Sequence, residues 1–207
     1  CDYFTDAIDY TQVKILEEFE ASPLAGARAV YGEVRVNRQI VGFKKIKFYT
    51  LENVGAGTLS MPEQEIHTTA FWLHFPADFL ARFPDLSPAQ KQSGLTGLGH
   101  ALRAVASLLV MCDPHDLGLA FTEDLARGPV FEPDLFLYDG YPGGVGLSAP
   151  LFRMAAKLVE AAAELIRACP CETGCPSCVG PAGETGEGGK AAAACILAEL
   201  LRADRPG

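Results

Sequence analysis

The chain has 207 residues, 49% of them hydrophobic and 21% charged, a balance that supports a packed core and excludes an intrinsically disordered protein. Its formal net charge of -9 excludes a surface that coats nucleic acid non-specifically all round. No uninterrupted apolar run approaches the ~18 residues of a membrane span, so no membrane partner is expected. The opening CDYFTDAIDY is polar and acidic, without the basic-then-apolar pattern of a secretory signal. It also starts without Met, which predicts a fragment of a larger protein in a reducing, cytoplasmic compartment.

In chain order, TQVKILEEFE fits a strand better than a helix. AVYGEVRV and QIVGFKKIKFY, rich in β-branched and aromatic residues, predict two strands joined tightly at Asn37-Arg38, with a bulge or bend at Gly42. LENVGAGTLSMPEQE has the Gly and Pro of a loop, and HTTAFWLHF is a further strand ended by Pro76. Ser87-Pro88-Ala89-Gln90 forms a capping box. Leu95, Leu98, Leu102, Val105, Leu109 and Cys112 then mark one buried helical face. Gly94, Gly97 and Gly99 weaken its first turns and move the expected start to about Thr96. GLAFTED and DLFLYD predict a hairpin, GYPGGVG a turn, Ser148 to Ala168 a second helix, and Lys190 to Leu201 a third. The expected architecture is α+β: a mixed or antiparallel sheet packed with about three helices, in a single domain over residues 1–207. Within it, 1–86 are mainly strands, 87–168 helix–hairpin–helix, and 169–207 a metal knuckle and terminal helix.

The segment CPCETGCPSC places Cys169, Cys171, Cys175 and Cys178 within ten residues. Four thiolates suit a closed tetrahedral zinc shell, and close ligand spacing lowers the loop-closure cost of assembling it. In the C-P-x-C-x-G stretch from Cys175 to Gly180, Pro stiffens the turn and Gly lets backbone amides fold over the sulfurs. Two disulfides would need an oxidising compartment and strained short loops. A redox dithiol would leave Cys169 and Cys171 unexplained, and spacing alone does not separate zinc from an iron–sulfur cluster. Zinc is favoured, as a structural staple with no open coordination position.

GETGEGGKAAA imitates a phosphate loop and fails. Ala191 follows Lys190 where a hydroxyl is needed, and Glu184 stands where the first glycine belongs. Lys190 is expected to be exposed in a first helical turn. Asp113, Asp116 and Asp139 could hold a metal for phosphodiester chemistry, but turn capping is the preferred role. PGGVG could cradle a phosphate, although such glycines more often permit a sharp turn. His67 and His74 flank a strand and are expected at the surface or in an interface, while His100 and His115 lack a ligand partner at useful spacing.

From Ala25 to Thr50 six basic residues face a single acid, Glu33. Arg35, Arg38, Lys44, Lys45 and Lys47 are interleaved with Phe43, Phe48 and Tyr49. That mixture suits a single-strand nucleic-acid platform and equally a lysine-protected edge strand.

RVNRQIVGFKKIKFYTLENVG, MPEQEIHTTAFWL, GLGHALRAVASLLVMCDPHDLG, YDGYPGGVGL and CPCETGCPSCVG together resemble the C-terminal zinc-binding domain of MrfA-type DNA-repair helicases, superfamily 2 motors with a DEAD/DEAH-type engine. The resemblance implies one zinc on Cys169, Cys171, Cys175 and Cys178. It also implies a parent ATP-dependent 3′-to-5′ DNA helicase, whose motor domains and single-stranded DNA are this segment's partners. The segment itself would be non-catalytic and would guide the strand with Arg35, Arg38, Lys44, Lys45 and Lys47. The competing expectations are a metal-dependent nuclease built on Asp113, Asp116 and Asp139, and a protein–protein adaptor.

Overall fold

The computed structural model describes residues 3–48, 53–122 and 131–202. Cys1, Tyr49 and residues 125–130 of the predicted hairpin connection (125–133) lie outside the described residues.

Strands β1 (Tyr3–Leu24) and β2 (Ala27–Lys47) form one long antiparallel ribbon. Its turn is Ala25-Gly26, with φ of 54° and 96°, the paired positive values a two-residue type I′ turn requires. The predicted connection at Asn37-Arg38 is therefore wrong. Asn37 pairs with Gln12 on one side and Glu65 on the other, in mid-strand. Asn-Arg lacks the glycine that such a turn takes at its second position, whereas Ala25-Gly26 has it. Arg82 donates to the carbonyl of Ala25 at 3.0 Å and to Glu199 at 2.9 Å, pinning the turn to the helical layer. The bulge expected at Gly42 is present: Ile8 pairs with Gly42 and Asp9 with Ile40, leaving Val41 as the extra residue.

Part of the predicted loop after Tyr49 is a strand, β3 (Asn53–Thr58), lying along the outer half of β2. Its glycines hid it. A Cβ on Gly57 would lie 2.6 Å from the Phe43 ring, so the neighbouring strand's aromatic side chain fills the place of the missing one. β4 (Gln64–His74), β5 (Leu117–Thr122) and β6 (Asp134–Asp139) complete the sheet in the order β1-β2-β4-β6-β5, with β3 beside β2. Every pairing is antiparallel.

The central strands are buried on both faces. Phe71, Leu73, Leu135 and Leu137 point to the helices, while Ala70, Trp72, Phe136 and Tyr138 join Val13, Val30, Val34 and Val36 on the opposite face. Among the described residues, no helix contributes to that second cluster. The sheet curls instead, bringing β1 back against β5, and the right-handed twist of strands makes such curling available.

After the short α1 (Ala77–Leu80), α2 runs over Pro88–Val110. The capping box forms as predicted, with Gln90 N–H donating to Ser87 Oγ at 3.2 Å and Ser87 N–H to Gln90 Oε1 at 2.9 Å. The helix thus starts eight residues before Thr96, because its glycines are contact points rather than breaks. A Cβ on Gly94 would sit 2.7 Å from Ala192 Cβ, and one on Gly99 2.7 Å from the Phe121 ring. By length and composition α2 is apolar enough to cross a bilayer; here it is the core helix, with Leu95, Leu98, Ala101 and Leu102 buried. The predicted second helix breaks at Met154 into α3 (Ser148–Arg153) and α4 (Ala155–Ala168). A single turn, α5 (Ala182–Thr185), precedes α6 (Gly189–Leu200), which packs on α2 and α4.

Candidate metal centre and nucleic-acid face

α4 ends at Ala168, and Cys169 leaves it with extended backbone (φ -71°, ψ 124°). The chain then doubles back so that the four clustered cysteines converge, all sulfurs lying within 4.8 Å of one another. Cys169 Sγ lies 3.5 Å from both Cys171 Sγ and Cys175 Sγ. Cys178 Sγ lies 3.5 Å from Cys171 Sγ and 3.6 Å from Cys175 Sγ. A tetrahedron of sulfurs at ~2.3 Å from zinc has edges of ~3.8 Å, so the donor set fits the ion closely. All four are free thiols, which removes the disulfide alternative.

The knuckle turns as its sequence requires. The N–H groups of Cys178 and Val179 donate to the Cys175 carbonyl at 3.0 and 3.1 Å, while Gly174 (φ +117°) and Gly180 (φ +85°) occupy backbone conformations closed to other residues. The thiols share protons unevenly. Burial raises Cys171, yet contacts from Cys169, Cys178 and Lys190 overcome it and hold it at about 6. The Cys169 thiol and the Ser177 amide draw Cys175 down, and burial pushes Cys178 up to about 12. Metal binding replaces all four protons.

Lys190 is not the exposed residue expected. Half-buried, its Nζ donates to the Cys169 carbonyl at 2.9 Å and to the Cys171 carbonyl, and lies 3.3 Å from Cys171 Sγ. Burial opposes its charge, but the neighbouring sulfurs outweigh that and raise its pKa. His100, on α2, also has a partner: its Nε2 lies 3.0 Å from Glu184 Oε2. That contact outweighs the effect of burial and lowers the Glu184 pKa. The His100 ring fills the space a Cβ on Gly180 would need.

The three aspartates serve as caps. Asp139 is fully buried; its Oδ2 accepts from the N–H groups of Val145, Gly146 and Leu147 at 2.9, 2.9 and 3.1 Å, and its Oδ1 accepts from the Ser148 hydroxyl. The donors that PGGVG might have offered a phosphate are taken up: Val145 and Gly146 turn inward onto this carboxylate, and the amides of Gly143 and Gly144 donate to the carbonyls of His67 and Tyr141. Asp113 and Asp116 form the capping box of a one-turn 3-10 helix over Pro114–Asp116, and Tyr141 donates its hydroxyl to Asp116 at 2.7 Å. Among the described residues, the only group of three or more potential ligands that converges is the four cysteines. His67 lies at the surface near Glu65, but His74 is largely buried, with Nδ1 2.8 Å from Asp134. Its position opposite Asp134, across the β4–β6 pair, was not readable before the strand order was known.

The basic residues lie along β2 but not on one face. Side chains alternate along a strand, so Arg35 and Arg38 point to opposite sides, as do Lys44 and Lys45. Arg38 Nε pairs with Asp9 at 2.6 Å, and Arg35 lies 3.7 Å from Glu65. Register sets Tyr3 opposite Lys47, Phe4 opposite Ile46 and Thr5 opposite Lys45. The Lys45 ammonium lies 5.4 Å from the Tyr3 ring centre, and the exposed rings of Phe4 and Phe48 are 5.5 Å apart. Tyr3 and Phe4 were missed because the N-terminal segment reads as polar. The signal was the aromatic and β-branched content of YFTDAIDY, with Tyr3, Phe4, Thr5, Ile8 and Tyr10.

A curled antiparallel sheet, backed by three long helices and tied at one end by a four-thiol knuckle, defines a zinc-stapled α+β domain. Residues 98–179 match the family described as MrfA Zn-binding domain, and the chain as a whole is similar to part of MrfA/YprA-type helicases. It is 38% identical over 180 residues to the ATP-dependent helicase YprA of Bacillus subtilis, an alignment covering 86% of this chain and 23% of that protein. The crystal structure of the DUF1998 helicase MrfA bound to DNA superimposes with a TM-score of 0.70 at 35% identity, covering 97% of this chain and 26% of that one. MrfA bound to DNA and AMPPNP matches with a TM-score of 0.53 at 32% identity, covering 97% and 22%. The chain thus spans about a quarter of the length of these relatives.

Proposed function

We propose that this chain is a non-catalytic domain of an ATP-dependent 3′-to-5′ DNA helicase acting in DNA repair in the cytoplasm. In this role it packs on the motor domains and guides single-stranded DNA. The observation that carries the strand-guiding role is the outer end of the β1–β2 ribbon, where Tyr3, Phe4 and Phe48 are exposed beside Lys44, Lys45 and Lys47. Exposed rings stack on bases of any sequence while ammonium groups meet phosphates, the combination used by sequence-tolerant single-strand binders. Arg35 and Arg38, each paired with a carboxylate, add to the cationic stretch of β2. DNA-bound and AMPPNP-bound relatives of the same fold favour the reading, and the four-thiol knuckle suits a reducing compartment.

The test is fluorescence anisotropy of a short single-stranded DNA with the zinc-loaded chain, titrated across salt. Replacing Lys44, Lys45 and Lys47 by Ala removes up to three phosphate contacts. At ~0.7 per contact on a single strand, the slope of log K against log salt should flatten by about 2. Unchanged binding and slope in the triple variant would reduce these lysines to the protection of a strand edge.

A further inference from the structure

The segment GETGEGGK carries no phosphate-loop function, yet it is built to place one side chain. Gly188 sits at the N-cap of α6 with φ +73°, and a Cβ on Gly189 would lie 2.4 Å from Thr185 Cγ2. Only a glycine pair lets the chain turn this closely against Thr185 and enter α6 with Lys190 aimed back at the knuckle. From the other side, a Cβ on Gly174 would lie 3.6 Å from Lys190 Cβ, so the cysteine loop closes over the lysine stem. The ammonium then gathers two backbone carbonyls, Cys169 O and Cys171 O, and reaches Cys171 Sγ at 3.3 Å.

Four thiolates around one zinc leave a net charge of -2, held within a protein that is itself at -9. A fixed ammonium at one sulfur lowers the charge of the assembly and removes electron density from that thiolate. Its carbonyl contacts hold Cys169 and Cys171 in the spacing that the metal needs. Groups in this outer position commonly set metal affinity by 10- to 100-fold. We infer that Lys190 is a positioning residue of the zinc centre: a built-in counter-cation that retains the metal and locks α6 to the end of α4. The inference rests on zinc occupying the four-cysteine site and is independent of strand guiding.

The experiment compares the zinc-loaded full chain with Lys190→Met, Lys190→Arg and Lys157→Met. Lys157 is exposed near the start of α4, some 18 Å along the helix from the cysteines at 1.5 Å per residue; its replacement removes the same charge without touching the site. Competition with a chromogenic chelator should show zinc held about tenfold or more weakly in Lys190→Met, within twofold of the parent in Lys157→Met, and between these in Lys190→Arg. Cobalt substitution reads the sulfur directly. Losing an N–H donor raises the energy of the thiolate electrons, so the sulfur-to-cobalt charge-transfer band should move to longer wavelength in Lys190→Met alone.

Zinc retention within twofold and an unmoved cobalt band in Lys190→Met would overturn the inference, as would equal weakening by Lys157→Met. Should Lys190→Met not fold, Lys190→Gln carries the same comparison. A Gln variant matching the parent in affinity and band position refutes the counter-cation role. Failure of the parent chain to bind zinc or cobalt at all would instead refute the metal site itself.

Discussion

Asp139 separates a structural from a hydrolytic role for the aspartates. Its carboxylate accepts from three consecutive backbone N–H groups and one hydroxyl, and is fully buried. Hydrogen bonds to a charged acceptor contribute ~1.5–3 kcal/mol each when buried. Val145 and Gly146 are exposed, so their freed amides can reach water, and about 1 kcal/mol each is the better figure. With the Leu147 amide and the buried Ser148 hydroxyl at about 1.5 kcal/mol each, and about 2 kcal/mol recovered because the Ala variant buries no charge, Asp139→Ala should cost about 3 kcal/mol. Asp139→Asn should cost about 1–2, because its carbonyl can still accept from the loop while its amide donates to Ser148. With a urea m-value of roughly 2 kcal/mol per molar for a chain of this size, the midpoint falls by about 1.5 M for Ala and half that for Asn. Trp72, the single tryptophan, is buried in the core on the far sheet face and reports unfolding by fluorescence. A midpoint for Asp139→Ala within 0.25 M of the parent, about 0.5 kcal/mol at that m-value, would refute the capping argument. Magnesium-dependent DNA cleavage lost in a fully stable Asp139→Asn would replace it with the nuclease reading.

Chelating the zinc should add four reactive thiols to the already exposed Cys195 in an Ellman titration and lower the melting temperature, since the metal's binding energy is folding energy; no new thiols would mean that the cysteines never held an ion. Gly94→Ala should destabilise the chain by about 1 kcal/mol in the same urea assay. A helix interior gains ~1 kcal/mol from that change, but the new methyl meets Ala192 Cβ at 2.7 Å, and overpacking costs ~1–3 kcal/mol. A more stable Gly94→Ala would show that α2 and α6 can separate freely.

Much of the local structure was legible because its causes are local. The capping box at Ser87, the bulge at Gly42, the knuckle at Cys175 and the three long helices each follow from residues close together in sequence. The misreadings have one cause in common. Asn37-Arg38 looked like a turn and residues 53–58 like a loop. In each case a partner strand far away in sequence satisfies the backbone or fills the missing side-chain volume, as Phe43 does for Gly57. The glycines of α2 misled in the same way, since their use lies in close packing, Gly94 against Ala192 of α6 and Gly99 against Phe121 of β5.

The sequence by itself determined the four-thiol ligand set, because four thiols within ten residues need little more than their own loop to converge. Only the tertiary structure decided where charge goes around that centre and along the ribbon. Lys190 turned inward to Cys171, Asp139 onto the amides of Val145, Gly146 and Leu147, and Tyr3 and Phe4 came to lie beside the lysines of β2. Coulombic and hydrogen-bonding partners act through space over a few ångströms, and which residues come that close is set by strand register and helix packing, not by their separation along the chain.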